Sequence, residues 1–229
     1  MVNFGIVTIS YKRVKILNLF LASIKRLRED LQTYIPCVVV GDAEHKELVE
    51  SYHCHFIYQD NHPASRKWNT GVDYLMSIGV DYVVVSGSDD IFSTELMSNL
   101  IEKMDMGVDL VYINIIWFYG ADGRHKGVLR KLTSTQPLGV GRCINRRVIE
   151  KVGKLWTRDR SWAMDGDCLR NMLPYLRTKT TAEGMVVDVK NFESLNKITF
   201  WISKLKDVYP PELFYEILSD EEKQILETI

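Results

Sequence analysis

Within its first ninety residues the chain alternates four short apolar runs with three amphipathic stretches, and few folds accept that rhythm. Residues 4–10 (FGIVTIS) are apolar and rich in β-branched side chains, the composition of a buried strand. Leu17, Phe20, Leu21, Ile24, Leu27 and Leu31 then recur at helical spacing, with Lys15, Lys25, Arg26 and Arg28 on the opposite face. Pro36 closes that helix, and residues 37–40 form a second strand ending at Gly41 and Asp42. A short polar helix over 44–52, a strand over 55–58, a helix over 65–78 and a strand over 81–85 complete the series. Alternation of this kind implies an α/β fold with a mostly parallel sheet and helices on both faces. Ligands bind such sheets beyond the carboxyl ends of the strands. Attention therefore falls on residues 8–11, 41–42, 60–61 and 86–90.

The second half is less regular. Residues 95–104 read as a helix and residues 110–119 (LVYINIIWFY) as one long apolar strand. Residues 120–132 have hairpin chemistry around Ala121, Asp122 and Gly123, which gives the sheet system a small antiparallel portion. Helices are expected over 147–152, 165–176 and 197–206, and a short strand over 186–189. Pro210 and Pro211 open a last helix running to residue 228. The organisation expected is a main domain over 1–206 with a helical appendage over 207–229.

With 46% of its 229 residues hydrophobic, the chain can bury a sizeable core and is too apolar for disorder. A net charge of −1 conceals two unlike segments. Residues 124–160 carry eleven Lys and Arg against Glu150 and Asp159, whereas 208–229 carry six acids against Lys223. Both can be solvated surface. The basic segment can also line a groove for an anion such as a diphosphate, a lipid phosphate or nucleic acid. Cys37, Cys54, Cys143 and Cys168 form no C-x-x-C pair, so a zinc ribbon is excluded. No apolar run approaches the roughly 18 residues of a membrane span, and residues 1–10 lack a basic-then-apolar leader. A cytoplasmic location is expected.

Several chemistries are missing their signatures. The first strand is not followed by G-x-G-x-x-G, and no P-loop or G-x-S-x-G elbow occurs. The five histidines show no H-E-x-x-H spacing. A nucleotidyltransferase would want a glycine-rich cationic loop after the first strand, and residues 9–13 (ISYKR) have cations without glycines. Asp89 and Asp90, at the end of the strand over 81–85, are the most suggestive pair. Paired carboxylates at a strand end can hold a hard divalent cation, which would neutralise a diphosphate leaving group. The alternative is a turn or helix cap built on Ser88 and Asp89.

In order along the chain come the strand over 4–10, VVVGD at 38–42, RKWNTG at 66–71, VSGSDD at 85–90, GVGR at 139–142, MDG at 164–166 and VDVK at 187–190. This succession resembles the family-2-like glycosyltransferases of the GT-A, Rossmann-like fold. It looks most like viral members, in particular the N-terminal glycosyltransferase domain of a chlorella-virus protein. The resemblance spans residues 3–200 and rests on motif order rather than on any one motif.

The resemblance implies a transferase that moves a sugar from a nucleotide-sugar, UDP-sugars favoured, to a hydroxyl acceptor, with inversion and with Mn²⁺ or Mg²⁺. It places Thr8, Ser10 and Tyr11 at the nucleobase, and Asp42 at the base or ribose. Lys67 and Asn69 would close the nucleotide pocket, and Asp89 would hold the nucleoside. Asp90 becomes the metal ligand, although Ser88 stands where many members carry Asp. Arg142 would reach a phosphate or the sugar, with Lys190 near the end of the site. Asp165 falls where inverting members carry the general base, partial burial raising its pKa, with Asp167 as its neighbour and competitor. Trp162 is the acceptor-side aromatic among Trp117, Trp156, Trp162 and Trp201. A glycan or glycoprotein is the expected acceptor, and a hydroxymethylated base in DNA is the alternative that the basic segment suggests. For a viral enzyme the location would be the host cytoplasm. A non-catalytic nucleotide-sugar binding module is the remaining alternative.

Overall fold

A computed structural model describes residues 2–162, 164–194, 199, 205 and 207–229. Its larger sheet carries, in spatial order, β10, β6, β9, β4, β1, β2 and β3. Here β1 is Phe4–Ile9, β2 Cys37–Gly41, β3 His55–Tyr58, β4 Tyr82–Val85, β6 Leu110–Tyr112, β9 Arg142–Asn145 and β10 Lys179–Thr181. Strands β4, β1, β2 and β3 run parallel. Strand β9 is antiparallel to both its neighbours, β4 and β6.

The register explains the continuous apolar runs. Alternate residues of a strand face opposite sides, and both sides of this sheet are covered. Ile6 and Val39 face α1 (Val14–Asp30) and α4 (Thr94–Asp105). Val7, Val38 and Val40 face α3 (Ala64–Ser77), whose Trp68, Val72 and Leu75 are buried against them. Gly71 sets how closely α3 approaches: a Cβ there would stand 2.4 Å from Val7 Cγ2. The short α2 (Lys46–Ser51) packs beside β3. Helices α5 (Arg146–Val152) and α6 (Met164–Met172) lie on the α3 side.

A second sheet has the order β12, β8, β7, β11, β5. Its strands are β5 Asp90–Phe92, β7 Ile115–Gly120, β8 Leu129–Thr133, β11 Val186–Lys190 and β12 Val208–Tyr209. The hairpin read around residues 121–123 is β7–β8. The long strand expected over 110–119 is two strands in different sheets. The chain turns at Ile113 and Asn114, whose carbonyls accept from Leu138 and Ser134 N–H groups at 3.1 and 2.7 Å. Both halves are apolar because each enters a buried sheet, so hydropathy alone hides the break.

The last helix is also divided, into α7 (Glu212–Tyr215) and α8 (Asp220–Thr228). Ser219 and Glu222 cap α8 reciprocally and restart the helix. Helix α8 packs on α1, and Phe214 is buried with its ring centroid 4.8 Å from that of Tyr119. The helix expected over 197–206, with Trp201, lies almost wholly outside the described residues. Among the described residues no helix is long and apolar enough to cross a membrane.

Candidate active site

The two sheets meet at the carboxyl end of β4, and a cavity of about 330 Å³ opens there. Its polar wall is built by strand register. Strand β5 pairs antiparallel with β11 so that Asp90 and Asp188 are direct partners. Like charges placed opposite one another repel, so this pairing calls for cations. Lys190 stands two residues along β11 and therefore on the same face as Asp188. Its Nζ is 2.6 Å from Asp188 Oδ2 and 3.4 Å from Asp89 Oδ2. Arg13, at the start of α1 with φ of 44°, sends Nη1 to within 2.7 Å of the same Asp89 oxygen. Its Nη2 is 3.4 Å from the Ser88 hydroxyl. Carboxylate oxygens of Asp89, Asp90 and Asp188 all lie within 4.8 Å of one another.

The surroundings pull these groups apart in acidity. Burial raises Asp89, but Lys190 and Arg13 outweigh it and hold its carboxyl below the usual range. Burial, then Asp188 and Asp89, push Asp90 well above the usual range. Its Oδ2 accepts the Gly87 N–H at 2.5 Å. Asp188 is pushed up to about 7, chiefly by burial, against the opposing pull of Lys190. Lys190 is raised, because Asp188 and Asp89 overcome its own desolvation.

The donor set suits a hard divalent cation: three carboxylates converge, and Asp188 Oδ1 is buried without a hydrogen-bond partner. Asp188 therefore supplies the third carboxylate in a chain that carries serine at 88.

Asp165 lines the same cavity, in the first turn of α6. It is exposed, so the partial burial expected for it is absent. Its carboxyl lies against Gly139, where no side chain competes for the space. Asp167 is buried and faces the other way, 3.6 Å from the Arg158 guanidinium. The apolar wall includes Trp68 and Trp156, stacked with centroids 5.5 Å apart. The indole N–H of Trp156 is buried and unpartnered.

Other expected ligands lie elsewhere. Asn69 is committed to the backbone of Trp156, donating to its carbonyl at 2.8 Å and accepting its N–H at 3.2 Å. It braces the cavity wall that Trp156 carries. Arg142 is also turned inward, since its guanidinium donates to the carbonyls of Asp165 and Pro137 at 2.8 and 3.0 Å. It is buried and ties the start of α6 to the 137–141 loop. Trp162 is exposed, with the Arg160 guanidinium 5.1 Å from its ring centroid, and is not part of the cavity lining.

Ser10 and Asp42, just beyond the ends of β1 and β2, come together with Lys67 of α3, and Thr8 and Tyr11 flank Ser10 in the chain. Lys67 is wholly buried, donates to the Ser10 carbonyl at 2.8 Å and stands 3.7 Å from Asp42 Oδ1. Burial pushes its pKa down. The Ser10 hydroxyl meets His45 Nδ1 at 2.8 Å, and burial likewise lowers that imidazole. Thr8 is buried with its hydroxyl unpaired, while Tyr11 is exposed beside Lys12. Arg13 borders both the cavity and a second hollow that includes Lys12 and Glu44.

Three arginines of the basic segment are paired or interior. Arg146 pairs with Glu150 at 2.8 Å and Arg147 with Asp109 at 2.5 Å, while Arg142 is interior.

Arg13 and Asp188 had no assigned role from sequence. Asp188 and Lys190 were findable: an acid and a base on one face of a strand that is otherwise Val are out of place unless something uses them. Arg13 had no such signal.

No family model matches the chain, and no curated protein does. Solved structures do. S. aureus TarS 1-349 aligns with a TM-score of 0.52 and 16% identity, over 98% of this chain and 69% of that one. A longer S. aureus TarS structure aligns with 0.52 and 15%, over 98% of this chain and 42% of that one. The bifunctional IspDF from Campylobacter jejuni aligns with 0.52 and 15%, over 90% of this chain and 55% of that one. This chain spans about half the length of the last two. At such identity the likeness is one of fold alone. Nothing in it singles out the viral members.

Proposed function

We propose that this protein is a nucleotide-sugar-dependent glycosyltransferase that acts on a hydroxyl acceptor, with a UDP-sugar as the favoured donor and inversion as the favoured course. The observation that carries the reading is one cavity at the strand ends that holds both a charged cluster, Asp89, Asp90, Asp188, Arg13 and Lys190, and a separate exposed carboxylate, Asp165. Sugar transfer needs both: charge stabilisation for a departing diphosphate and a base for the incoming hydroxyl.

In this reading Arg13 and Lys190 meet the diphosphate, and the nucleoside extends toward Tyr11, Asp42 and the buried Lys67. The stacked Trp68 and Trp156 offer an apolar face to a sugar ring. Asp165 accepts the proton of the acceptor hydroxyl as its oxygen bonds to the anomeric carbon. The bond from that carbon to the diphosphate oxygen breaks, and the nucleoside diphosphate leaves. A Mn²⁺ or Mg²⁺ held by Asp89, Asp90 and Asp188 would supply Lewis-acid stabilisation of the leaving group. A glycan is the favoured acceptor.

The test is calorimetric titration with UDP, GDP and TDP in the presence of Mn²⁺, followed by a screen of the matching nucleotide-sugars for diphosphate release. Saturable binding, with release lost in Asp165→Asn while binding persists, is the expected result. Absence of binding by all three nucleotides would sink the reading. Pyrophosphate release from nucleoside triphosphates would replace it with nucleotidyl transfer on the same sheet.

A further inference from the structure

Three carboxylates face the cavity, yet two of them are already engaged by a cation from the chain itself. Lys190 is 5% exposed, and its ammonium lies 2.6 Å from Asp188 Oδ2 and 3.4 Å from Asp89 Oδ2. It bridges two members of the triad whose ligand oxygens all lie within 4.8 Å of one another. Arg13 reaches the same Asp89 oxygen from α1. The other oxygen of Asp188 is left buried and unpaired, so the triad is under-satisfied even with both cations in place. An arrangement of this kind attracts positive charge, yet an ammonium stands where that charge would arrive.

We propose that Lys190 is a counterion latch. In the free protein its ammonium takes the place of a divalent cation on Asp188 and Asp89, and an arriving diphosphate draws it off those carboxylates. Metal and diphosphate consequently bind strongly together and weakly apart. This rests on the transferase reading for the identity of the diphosphate. It concerns Lys190 itself and not the overall reaction.

Three physical points support it. An ammonium and a divalent ion sharing the same two carboxylates repel each other at close range in a site with little water to screen them. Lysine, unlike arginine, carries a compact charge on a flexible four-carbon stem and can pivot between acceptors. Arg13 is braced by Ser194 and Ser88 at 3.4 Å as well as by Asp89, whereas the ammonium's partners are Asp188 and Asp89. Lys190 is thus the cation that can leave, and Arg13 the one that stays.

The experiment measures Mn²⁺ binding by calorimetry on the full chain, with and without saturating UDP, in wild type, Lys190→Met and Lys190→Gln. In the wild type, Mn²⁺ alone binds at least tenfold more weakly than with UDP. In either variant, Mn²⁺ alone binds at least tenfold more tightly than in the wild type, and UDP adds little. The Gln variant keeps a hydrogen-bonding group should the Met variant fail to fold, and the wild-type linkage can be read without either. Equal Mn²⁺ affinity in wild type and variants, or weaker affinity in the variants, overturns the latch. So does a wild type whose Mn²⁺ affinity is indifferent to bound UDP. If UDP binds to none of the proteins, the transferase reading fails and the diphosphate half of the latch fails with it. The Mn²⁺ comparison between wild type and variants still decides separately whether Lys190 holds the cation's place.

Discussion

The carboxyl group of Asp165 occupies the space that a side chain on Gly139 would need. A Cβ built at 139 would lie 2.2 Å from Asp165 Cγ and Oδ1 and 2.4 Å from Oδ2. Glycine at 139 thus helps to place the proposed base, although the residue has no chemistry of its own. Gly139→Ala is expected to displace the carboxylate and cut turnover by about tenfold to a hundredfold, the scale on which a misplaced catalytic group acts. UDP affinity should change by less than about threefold, because the charged cluster is untouched. Separate measurement of kcat and nucleotide affinity checks this. An alanine variant with unchanged kcat would deny Asp165 its role.

Asn69 and Trp156 make a second such pairing, through two hydrogen bonds between the amide side chain and the backbone of residue 156. Asn69→Ala leaves a buried N–H and C=O without partners, at a cost of about 1–3 kcal/mol. The cavity wall carried by Trp156 should loosen with it. Urea unfolding reads the stability loss, and Trp fluorescence reads the wall. Unchanged stability together with lost UDP binding would return Asn69 to the direct ligand role that its sequence context implies.

The parallel core was legible because it is local. Strands β1, β2 and β4 are short continuous apolar runs, and helices α1 and α3 carry a helical period of their own. What escaped detection is non-local. Strand β9 enters the middle of the sheet with only Cys143 and Ile144 as apolar residues, and β5 is three residues long. Neither is long enough to show a period, and their partners lie far away in sequence. The site divides in the same way. Asp89, Asp90 and Asp165 stand in short motifs and do line the cavity. Asp188 joins them only through the β5–β11 register. Asn69 and Arg142 also stand in motifs, but whether a polar side chain faces ligand or backbone is decided by tertiary contacts that no motif records.

Asp109 supplies an acid-sensitive component of stability away from the site. Burial raises its carboxyl, but Arg147 and the N–H groups of Arg177 and Thr178 outweigh that and hold it below the ordinary value. A depressed folded pKa means that the native state binds the proton less readily than the unfolded chain does. The contribution is therefore complete above the unfolded value of about 3.9 and is lost as pH falls through the lower folded value. Asp109→Asn should destabilise by about 2 kcal/mol at neutral pH. The gap between variant and wild type should narrow below about pH 4. Urea titrations at pH 7 and pH 3 test the sign. A gap that widened in acid would contradict the assignment.

Arg26 and Glu222 join the first helix to the last and, through them, reach the strand that carries Asp90. The Arg26 guanidinium donates to Glu222 at 2.8 Å, to Thr94 at 2.9 Å and to the Phe92 carbonyl of β5 at 2.7 Å. Glu222 is fully buried, and its carboxylate also accepts the Ser219 N–H at 2.7 Å to cap α8. Removing one partner of such a pair strands a charge in the interior, at about 3–5 kcal/mol, whereas removing both can be nearly neutral. Arg26→Met is thus expected to be strongly destabilising, and Arg26→Met with Glu222→Met to recover most of the loss. The double variant still lacks the donor to Phe92 and the α8 cap, each a group of about 1 kcal/mol, so recovery should stop short of wild type. A double-mutant cycle by urea unfolding measures the coupling. Losses that merely added would mean that the two side chains act independently and that α8 is held to α1 by its other contacts, the Lys25–Glu221 ion pair among them.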